Sequence, residues 1–183
     1  QKIVNAMFMS VTTRTAGFNT IDLSNLSDSG TLLSLILMLI GGSPGSTAGG
    51  LKTTTIAVVV IAVFSMAKGG DDINTFKRRI VSDVVKQSAV IILIYLFAVM
   101  LSSMIICSVE GLGMSQVLFE TASAAGTVGV SKGITNQISV ISKIILMIMM
   151  YGGRIGGLSL VLVFGQRKPE APVKRPTEQI LIG

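Results

Sequence analysis

Long apolar runs separated by short polar stretches dominate this chain. Residues 89–109 form an uncharged run of 21 residues, and residues 138–164 form a second run interrupted by Lys143 and Arg154. Either run is long enough to cross a hydrocarbon core of about 30 Å as a helix. A third run, residues 31–66, has 36 residues, and a single helix of that length would measure about 54 Å. The third run must therefore bend or break.

The break is predicted at residues 41–50, where five glycines and Pro44 oppose regular helix. Irregular backbone at membrane depth is tolerated only where protein or a water-filled cavity satisfies its polar groups. We therefore expect this 41–50 loop to face an aqueous path, with a broken helix packed wholly in protein as the alternative. Its residues are Gly41, Gly42, Ser43, Pro44, Gly45, Ser46, Thr47, Ala48, Gly49 and Gly50.

Two further segments are too short to span a membrane. Residues 2–13 and 114–125 each predict a short helix, and each precedes a small, polar, glycine-containing stretch. Apolar side chains between residues 119 and 130 favour a half-helix that dips into the membrane over an exposed linker. The pattern thus predicts an all-α polytopic membrane protein with repeats of helix, re-entrant loop and helix, the first copy being cut short.

Composition and charge support a membrane protein and suggest its orientation. Half of the residues are hydrophobic and 13% are charged, whereas a soluble domain has about 25% charged residues. Of the fifteen Lys and Arg residues, nine lie in residues 67–86 and 166–183, and the positive-inside rule places both stretches in the cytoplasm. Basic residues beside apolar runs indicate contact with membrane lipids and not with nucleic acid.

Most enzyme classes are excluded by the residues that the chain lacks. The sequence has no histidine and one cysteine, Cys107, so it contains no disulfide within the chain, no histidine-based zinc site and no Ser-His or Cys-His nucleophile pair. Residues 45–53 miss the phosphate-binding P-loop pattern by one extra residue and follow no strand. We therefore expect neither an enzyme nor a covalently bound cofactor.

Two four-residue motifs carry the candidate chemistry. Thr15, Ala16, Gly17 and Phe18 match Thr127, Val128, Gly129 and Val130 at a spacing of 112 residues, each directly after a predicted short helix. Both motifs resemble the TVGYG filter of potassium channels, whose carbonyl oxygens replace the water around the ion. One such match alone is more often a glycine turn at the end of a helix, but two copies in the same context favour a filter.

The chain is similar to the Trk/Ktr/HKT superfamily of potassium transporters, and within it to the KtrB-type membrane subunit. The similarity covers nearly all of the chain, and its most specific segments are TRTAGFNT (13–20), GGSPGSTAGGLKT (41–53), ETASAAGTVG (120–129) and EQILIG (178–183). The resemblance implies a single subunit with four repeats around one pore, of which this chain would be the part from the third pore loop onward. Repeats lying upstream of residue 1 would complete the pore.

The resemblance also implies roles for individual residues. Thr15, Gly17, Thr127 and Gly129 would be ligands for potassium, the 41–50 loop would be a movable gate below the filter, and Arg154 would point into the pore as a charge barrier. From the sequence alone, Arg154 could instead snorkel to the inner surface or pair with an acid. Arg14 either braces the filter, which we favour, or pairs with an acid such as Glu120.

Four segments and several partners follow from this resemblance. Residues 1–66 would hold the third pore loop and the broken helix, residues 67–86 a cytoplasmic loop, residues 87–165 the complete fourth repeat, and residues 166–183 a cytoplasmic tail. The expected function is selective potassium uptake across the plasma membrane by a homodimer that binds cytosolic nucleotide-binding KtrA-type subunits. The alternatives are a sodium-permeable relative, with sodium also an open candidate as regulator, and a membrane interaction subunit that transports nothing.

Overall fold

The computed structural model describes residues 2–20, 22–24, 26–46, 48–69, 73–75 and 78–156. Within these residues the fold is helical, as the sequence predicts, apart from a two-residue antiparallel hairpin of β1 (Asn74–Thr75) and β2 (Arg78–Arg79). The helices are α1 (Lys2–Thr12), α2 (Asp28–Leu39), α3 (Thr53–Ala67), α4 (Ser82–Glu110), α5 (Met114–Ala125) and α6 (Val140–Ile155). Thr47 and the residues from 157 onward, with the predicted end of the last span and the tail, lie outside the described residues.

Helix α4 is the element of the described chain that is long and apolar enough to cross a membrane, with 29 residues and a mean hydropathy of 2.8 over an 18-residue window. It contains the predicted span 89–109 but begins at Ser82, so the last five residues of the predicted loop 67–86 are helical. The first turn carries Asp83, which interacts favourably with the positive end of the helix dipole. Gly111 ends the helix with a left-handed φ of 66°.

The predicted break in the long apolar run is present, between the end of α2 at Leu39 and the start of α3 at Thr53. The two ends of the broken helix remain connected by backbone hydrogen bonds. The Gly41 N–H donates to the Leu51 carbonyl at 2.7 Å, and the Leu51 N–H donates to the Leu39 carbonyl at 3.2 Å. The 41–50 loop therefore leaves and returns at one point.

The short helix α5 lies at the centre of the described fold. Helix α5 contacts α2, α4 and α6, and its residues from Phe119 to Ala125 are all buried. The longer helices α4 and α6, in contrast, expose large apolar side chains on their outer faces, such as Phe97 and Ile148. An apolar surface of this extent suits contact with lipid or with further membrane segments.

The start of α6 is fixed by the end of α4. Ser139 caps α6 and its side chain accepts a hydrogen bond from the Ser142 N–H. The Glu110 carboxylate accepts hydrogen bonds from the Ser139 N–H at 2.9 Å and from the Ser139 and Ser142 hydroxyls at 2.5 Å each. A carboxylate at a helix N-terminus interacts favourably with the helix dipole. These hydrogen bonds connect the end of α4 to the start of α6, and so join the two ends of the segment that contains α5.

Candidate functional site

The two matching motifs meet in space although 112 residues separate them in sequence. A Cβ atom built on Gly17 would lie 2.5 Å from the Val128 carbonyl oxygen and 3.8 Å from the Gly129 Cα, and one built on Gly129 would lie 3.7 Å from the Gly17 Cα. Residues 15–18 and 127–130 are therefore in backbone contact. We refer to them as the first and second filter segments.

Both filter segments have the same unusual backbone. Thr15 (φ 68°) and Thr127 (φ 53°) are the non-glycine residues with positive φ in the described part of the chain, and Gly17 (75°) and Gly129 (91°) follow two positions later in each segment. A left-handed conformation is rare for β-branched residues such as threonine. The correspondence between the two copies therefore extends from residue type to local conformation.

Each filter segment is bound to the helix that precedes it, but by different groups. In the first copy the Thr12 hydroxyl donates to the Phe18 carbonyl at 2.7 Å and accepts from the Phe18 N–H at 2.9 Å. In the second copy the Val128 N–H donates to the Ser123 carbonyl at 2.9 Å. These bonds turn the chain back along the end of α1 and of α5.

The side chains of the second filter segment face the core. Val128 and Val130 are buried in one cluster with Met9, Met38 and Phe119. The Val128 carbonyl oxygen lies instead against Gly17 of the first filter segment. Among the described residues, no group of three or more His, Cys, Asp and Glu side chains could hold a metal ion.

A buried carboxylate lies behind the second filter segment. Glu120, which is 6% exposed, accepts hydrogen bonds from the Ser131 hydroxyl at 2.5 Å, the Lys132 N–H at 3.0 Å and the Thr135 hydroxyl at 3.0 Å. Arg14, the alternative partner considered from the sequence, is exposed and contributes none of these three bonds. The carboxylate therefore holds the residues that directly follow the filter segment.

The 41–50 loop contacts the second filter segment at its threonine. The Gly49 N–H donates to the Thr127 hydroxyl at 3.0 Å. The loop is held in shape by Lys52, whose ammonium group donates to the Ala48 carbonyl at 2.6 Å and to the Ser46 carbonyl at 3.2 Å. The loop thus lies directly beside residues 127–130, and Lys52, which stands out in the sequence as a lone charge in an apolar run, stabilises the loop.

Four glycines allow the backbones of the loop, α5 and α6 to approach closely, and we call them the glycine junction: Gly49, Gly50, Gly126 and Gly153. A Cβ atom on Gly49 would overlap the Thr127 side chain, and one on Gly153 would overlap the Ala125 carbonyl oxygen. A Cβ atom on Gly126 would lie 2.6 Å from the Met38 carbonyl oxygen. Larger residues at these positions would separate the elements.

Arg154 follows the glycine junction directly, in the last turn of α6. Its side chain is exposed and is therefore not buried in the core of the described chain. Its neighbour Gly153 lies against Ala125 at the end of α5, and the Gly153 carbonyl oxygen lies 3.0 Å from a Cβ built on Gly49. This turn of α6 is therefore next to α5 and to the 41–50 loop.

Two cavities flank the 41–50 loop. One of about 490 Å³ is lined by Pro44, Gly45 and Lys52 together with residues of α3 and α4. The other, of about 340 Å³, lies between α4 and α6 and is bordered by Gly50 and Tyr95. In the described part of the chain, the Tyr95 hydroxyl is the buried side-chain polar atom without a hydrogen-bond partner.

Sequence reasoning did not assign the residues that support the filter segments. Thr12, the partners of Glu120 and the buried hydrogen bond of 2.6 Å between the Ser103 and Thr121 hydroxyls emerge only from the fold. One signal was available, because Glu120 is the single charged residue between positions 111 and 131. A lone carboxylate in an apolar short helix indicates a buried hydrogen-bonded group.

A helical fold with one long apolar helix is typical of an all-α membrane protein. Comparison with known families gives a match over residues 1–174 to TrkH, the cation transport protein family. The chain belongs to the TrkH family, as its resemblance to KtrB-type subunits predicts. This is a family of transporters and not of enzymes.

Similar proteins cover nearly the whole chain. Over 97% of this chain, the sequence is 38% identical to the Ktr system potassium uptake protein D of Bacillus subtilis. Over 100% of this chain, it is 37% identical to the potassium/sodium uptake protein NtpJ of Enterococcus hirae. Identity to the Ktr system potassium uptake protein B of Bacillus subtilis is 32% over 100%. The chain spans 40%, 42% and 41% of these relatives, respectively.

Proposed function

We propose that this chain is part of a membrane subunit that passes potassium selectively across the plasma membrane. The observation that carries the proposal is the contact between two filter segments of equal sequence pattern and equal left-handed conformation at Thr15, Gly17, Thr127 and Gly129. A carbonyl-lined filter needs oxygens from several loops around one axis. Two such loops in contact are half of a four-loop ring, and the others would come from repeats outside this chain.

The 41–50 loop is proposed as the gate of this pore. Its support is the hydrogen bond from Gly49 to the filter residue Thr127 and the cavity of about 490 Å³ beside Pro44 and Gly45. Hydrogen bonds hold the loop at its base and at Gly49, whereas Pro44 and Gly45 border free volume, so this part of the loop has room to move without disrupting a packed core. Irregular backbone at this depth is expected where it lines a water-filled path.

Arg154 is proposed as an electrostatic barrier near the same path. A fixed positive charge in a narrow, poorly screened passage repels a permeating cation. Its support is its position one residue after Gly153, which touches the end of the α5 backbone, and its exposed side chain.

The proposed assembly and orientation rest on charge and on the relatives. Residues 67–86 and the tail face the cytoplasm by the positive-inside rule. Two relatives are named as members of a Ktr system, and by resemblance to KtrB the subunit would form a homodimer and bind nucleotide-binding KtrA-type subunits. The chain itself has no nucleotide-binding fingerprint, so regulation is assigned to a partner.

A second candidate function is potassium and sodium transport through the same site. The relative NtpJ is named a potassium/sodium uptake protein, and it is about as similar to the chain as the potassium uptake proteins are. Competition between the two ions distinguishes the candidates, because a potassium filter keeps its preference when sodium is in large excess.

Serine substitutions in the filter test the proposed function. In the full-length parent protein, Gly17→Ser or Gly129→Ser should lower the preference for potassium over sodium about tenfold, since a left-handed conformation costs an L-residue about 1–2 kcal/mol. Gly111→Ser is the matched control, because Gly111 has a φ of 66° but no atom within 4 Å of its Cβ position, and it ends α4, outside the filter segments and the residues that directly follow them. Uptake of potassium is measured in cells that lack their own uptake systems, with sodium as competitor.

Unchanged selectivity in both filter variants would refute the filter assignment. An equal loss of selectivity in Gly111→Ser would also refute it, since backbone strain outside the filter would then be sufficient. Potassium uptake that is absent from the unaltered full-length protein would refute transport itself.

A further inference from the structure

We propose that Glu120 is a positioning residue for the second filter segment, and that ion selectivity depends on its carboxylate although it does not touch the ion. This inference rests on the proposed function and extends it to a residue behind the filter. The carboxylate holds residues 131–135, and these residues fix the end of the filter segment at Val130.

Burying the Glu120 carboxylate has a cost in free energy. Glu120 is 6% exposed, and a buried carboxylate is retained in a fold only where hydrogen bonds or a counter-charge satisfy it. Here three donors converge on it, with the Ser131 hydroxyl and the Lys132 N–H on Oε1 and the Thr135 hydroxyl on Oε2. Charge-assisted hydrogen bonds are roughly twice as strong as neutral ones, so this contact fixes the chain firmly.

The donors lie in the turn that directly follows the filter segment. Ser131 and Lys132 immediately follow Val130, so two of the three bonds act on the residues next to the filter segment. The Ser131 hydroxyl also accepts a hydrogen bond from the Gly133 N–H at 2.8 Å. The whole turn from 131 to 135 is thereby attached to α5, the helix that also carries the filter segment on its C-terminal end.

The same turn is also attached on its other side. The Lys132 ammonium group donates to the buried Thr31 hydroxyl on α2 at 2.8 Å, and it lies 5.4 Å from the centre of the Phe119 ring. The segment after the filter is therefore held between α5 and α2. Displacement of Ser131 and Lys132, which directly follow Val130, would require breaking both attachments.

The two copies of the motif differ at the position of Glu120. Aligning Gly17 with Gly129 places Phe8 opposite Glu120, and the first filter segment is held by Thr12 instead. The carboxylate is therefore not a general requirement of the short helix. The carboxylate is specific to the second copy, so its loss should affect the filter at the second filter segment.

The test uses Glu120→Ala in the full-length parent protein, with Glu110→Ala as matched control. Glu110 also accepts hydrogen bonds from one N–H and two hydroxyls, but its partners are Ser139 and Ser142 at the start of α6. We expect Glu120→Ala to lower the preference for potassium over sodium about tenfold, which corresponds to about 1.4 kcal/mol. Glu110→Ala should leave this preference unchanged, even if it lowers the amount of folded protein.

Three further variants complete the test. Glu120→Gln keeps an acceptor for Ser131 and the Lys132 N–H and should keep most of the preference. Glu120→Met fills similar space without an acceptor and should lose it, and equal preference in the two variants would indicate a merely space-filling role and overturn the proposal. Thr135→Val removes one donor without burying an empty site and tests the same contact if Glu120→Ala does not fold. Competition of sodium with potassium uptake is the readout, because a change in protein amount alone leaves this ratio unaltered.

The possible outcomes separate this proposal from the proposed function. Wild-type selectivity in Glu120→Ala, or in Thr135→Val where the first variant does not fold, would overturn the role of Glu120 while the filter remained established by the serine variants. Equal loss in Glu110→Ala would overturn it as well. If the unaltered protein carries no selective potassium flux, the proposed function fails first and this inference fails with it.

Discussion

Replacing Gly153 with alanine should separate α6 from α5 and destabilise the protein. The added Cβ would overlap the Ala125 carbonyl oxygen and lie 2.8 Å from its carbonyl carbon and 3.3 Å from its Cα. Carbon atoms in favourable contact lie about 3.5–4.0 Å apart, so the helices must move apart by about 1 Å. The obstructing atoms are backbone, so no side-chain rotation relieves the overlap.

The expected magnitude follows from two opposing terms. Overpacking of this kind costs about 1–3 kcal/mol, while alanine in place of glycine within a helix gains about 0.8–1 kcal/mol. The neighbouring substitution Gly152→Ala is the matched control, because a Cβ there would meet nothing within 4 Å. Gly152→Ala should therefore be neutral or stabilising, and Gly153→Ala should be less stable than it by about 1–3 kcal/mol.

Thermal unfolding of the purified full-length parent in detergent measures this difference, and potassium flux in liposomes measures its effect on transport. Because Gly153 adjoins the filter and the 41–50 loop, the flux of Gly153→Ala should change more than that of Gly152→Ala. A midpoint for Gly153→Ala equal to or above that of Gly152→Ala would refute the close contact of α6 with α5.

Three further predictions address the gate, the barrier and the assembly. Deleting residues 43–48 should raise potassium flux at rest, measured by uptake at matched expression, and reduced flux would contradict a gate. Arg154→Ala should raise flux and make it less dependent on regulation, because the repulsive charge is gone; Arg154→Lys, which keeps the charge, should not. Removing residues 177–183, which lie outside the described residues, should weaken the homodimer in crosslinking and size analysis, and an undiminished dimer would exclude that tail from the interface.

The elements of this fold were largely predictable because they depend on local sequence. The break at residues 41–50 follows from the limited length of a membrane span, and the short helix α5 follows from the apolar stretch before Gly126. The start of α4 at Ser82 was not predicted, because hydropathy marks the apolar part of a helix and not its polar first turns. The side of the helix on which a residue lies also depends on packing, which is why the sequence Gly152–Gly153 alone does not indicate which glycine contacts α5.

The candidate filter was predictable as a pattern, but its supports were not. Two copies of a short motif in matching contexts identify Gly17 and Gly129 from sequence alone. The hydrogen bond between Gly49 and Thr127 joins residues 78 positions apart, and no local signal specifies it. The partners of Glu120 depend on the turn of the chain after the filter, so the sequence shows an isolated acid and the fold shows what it binds.

The different supports of the two filter segments have a consequence for how such a pore evolves. In a ring built from identical subunits, one codon change alters every loop at once. Here Thr12 secures one loop and Glu120 the other, within a single polypeptide, so in the proposed pore each loop is encoded separately and a substitution changes one side of the ring only. Ion preference in such a protein can therefore be adjusted in small, independent steps, and loops of the same ring are free to diverge in sequence while they still meet around one axis.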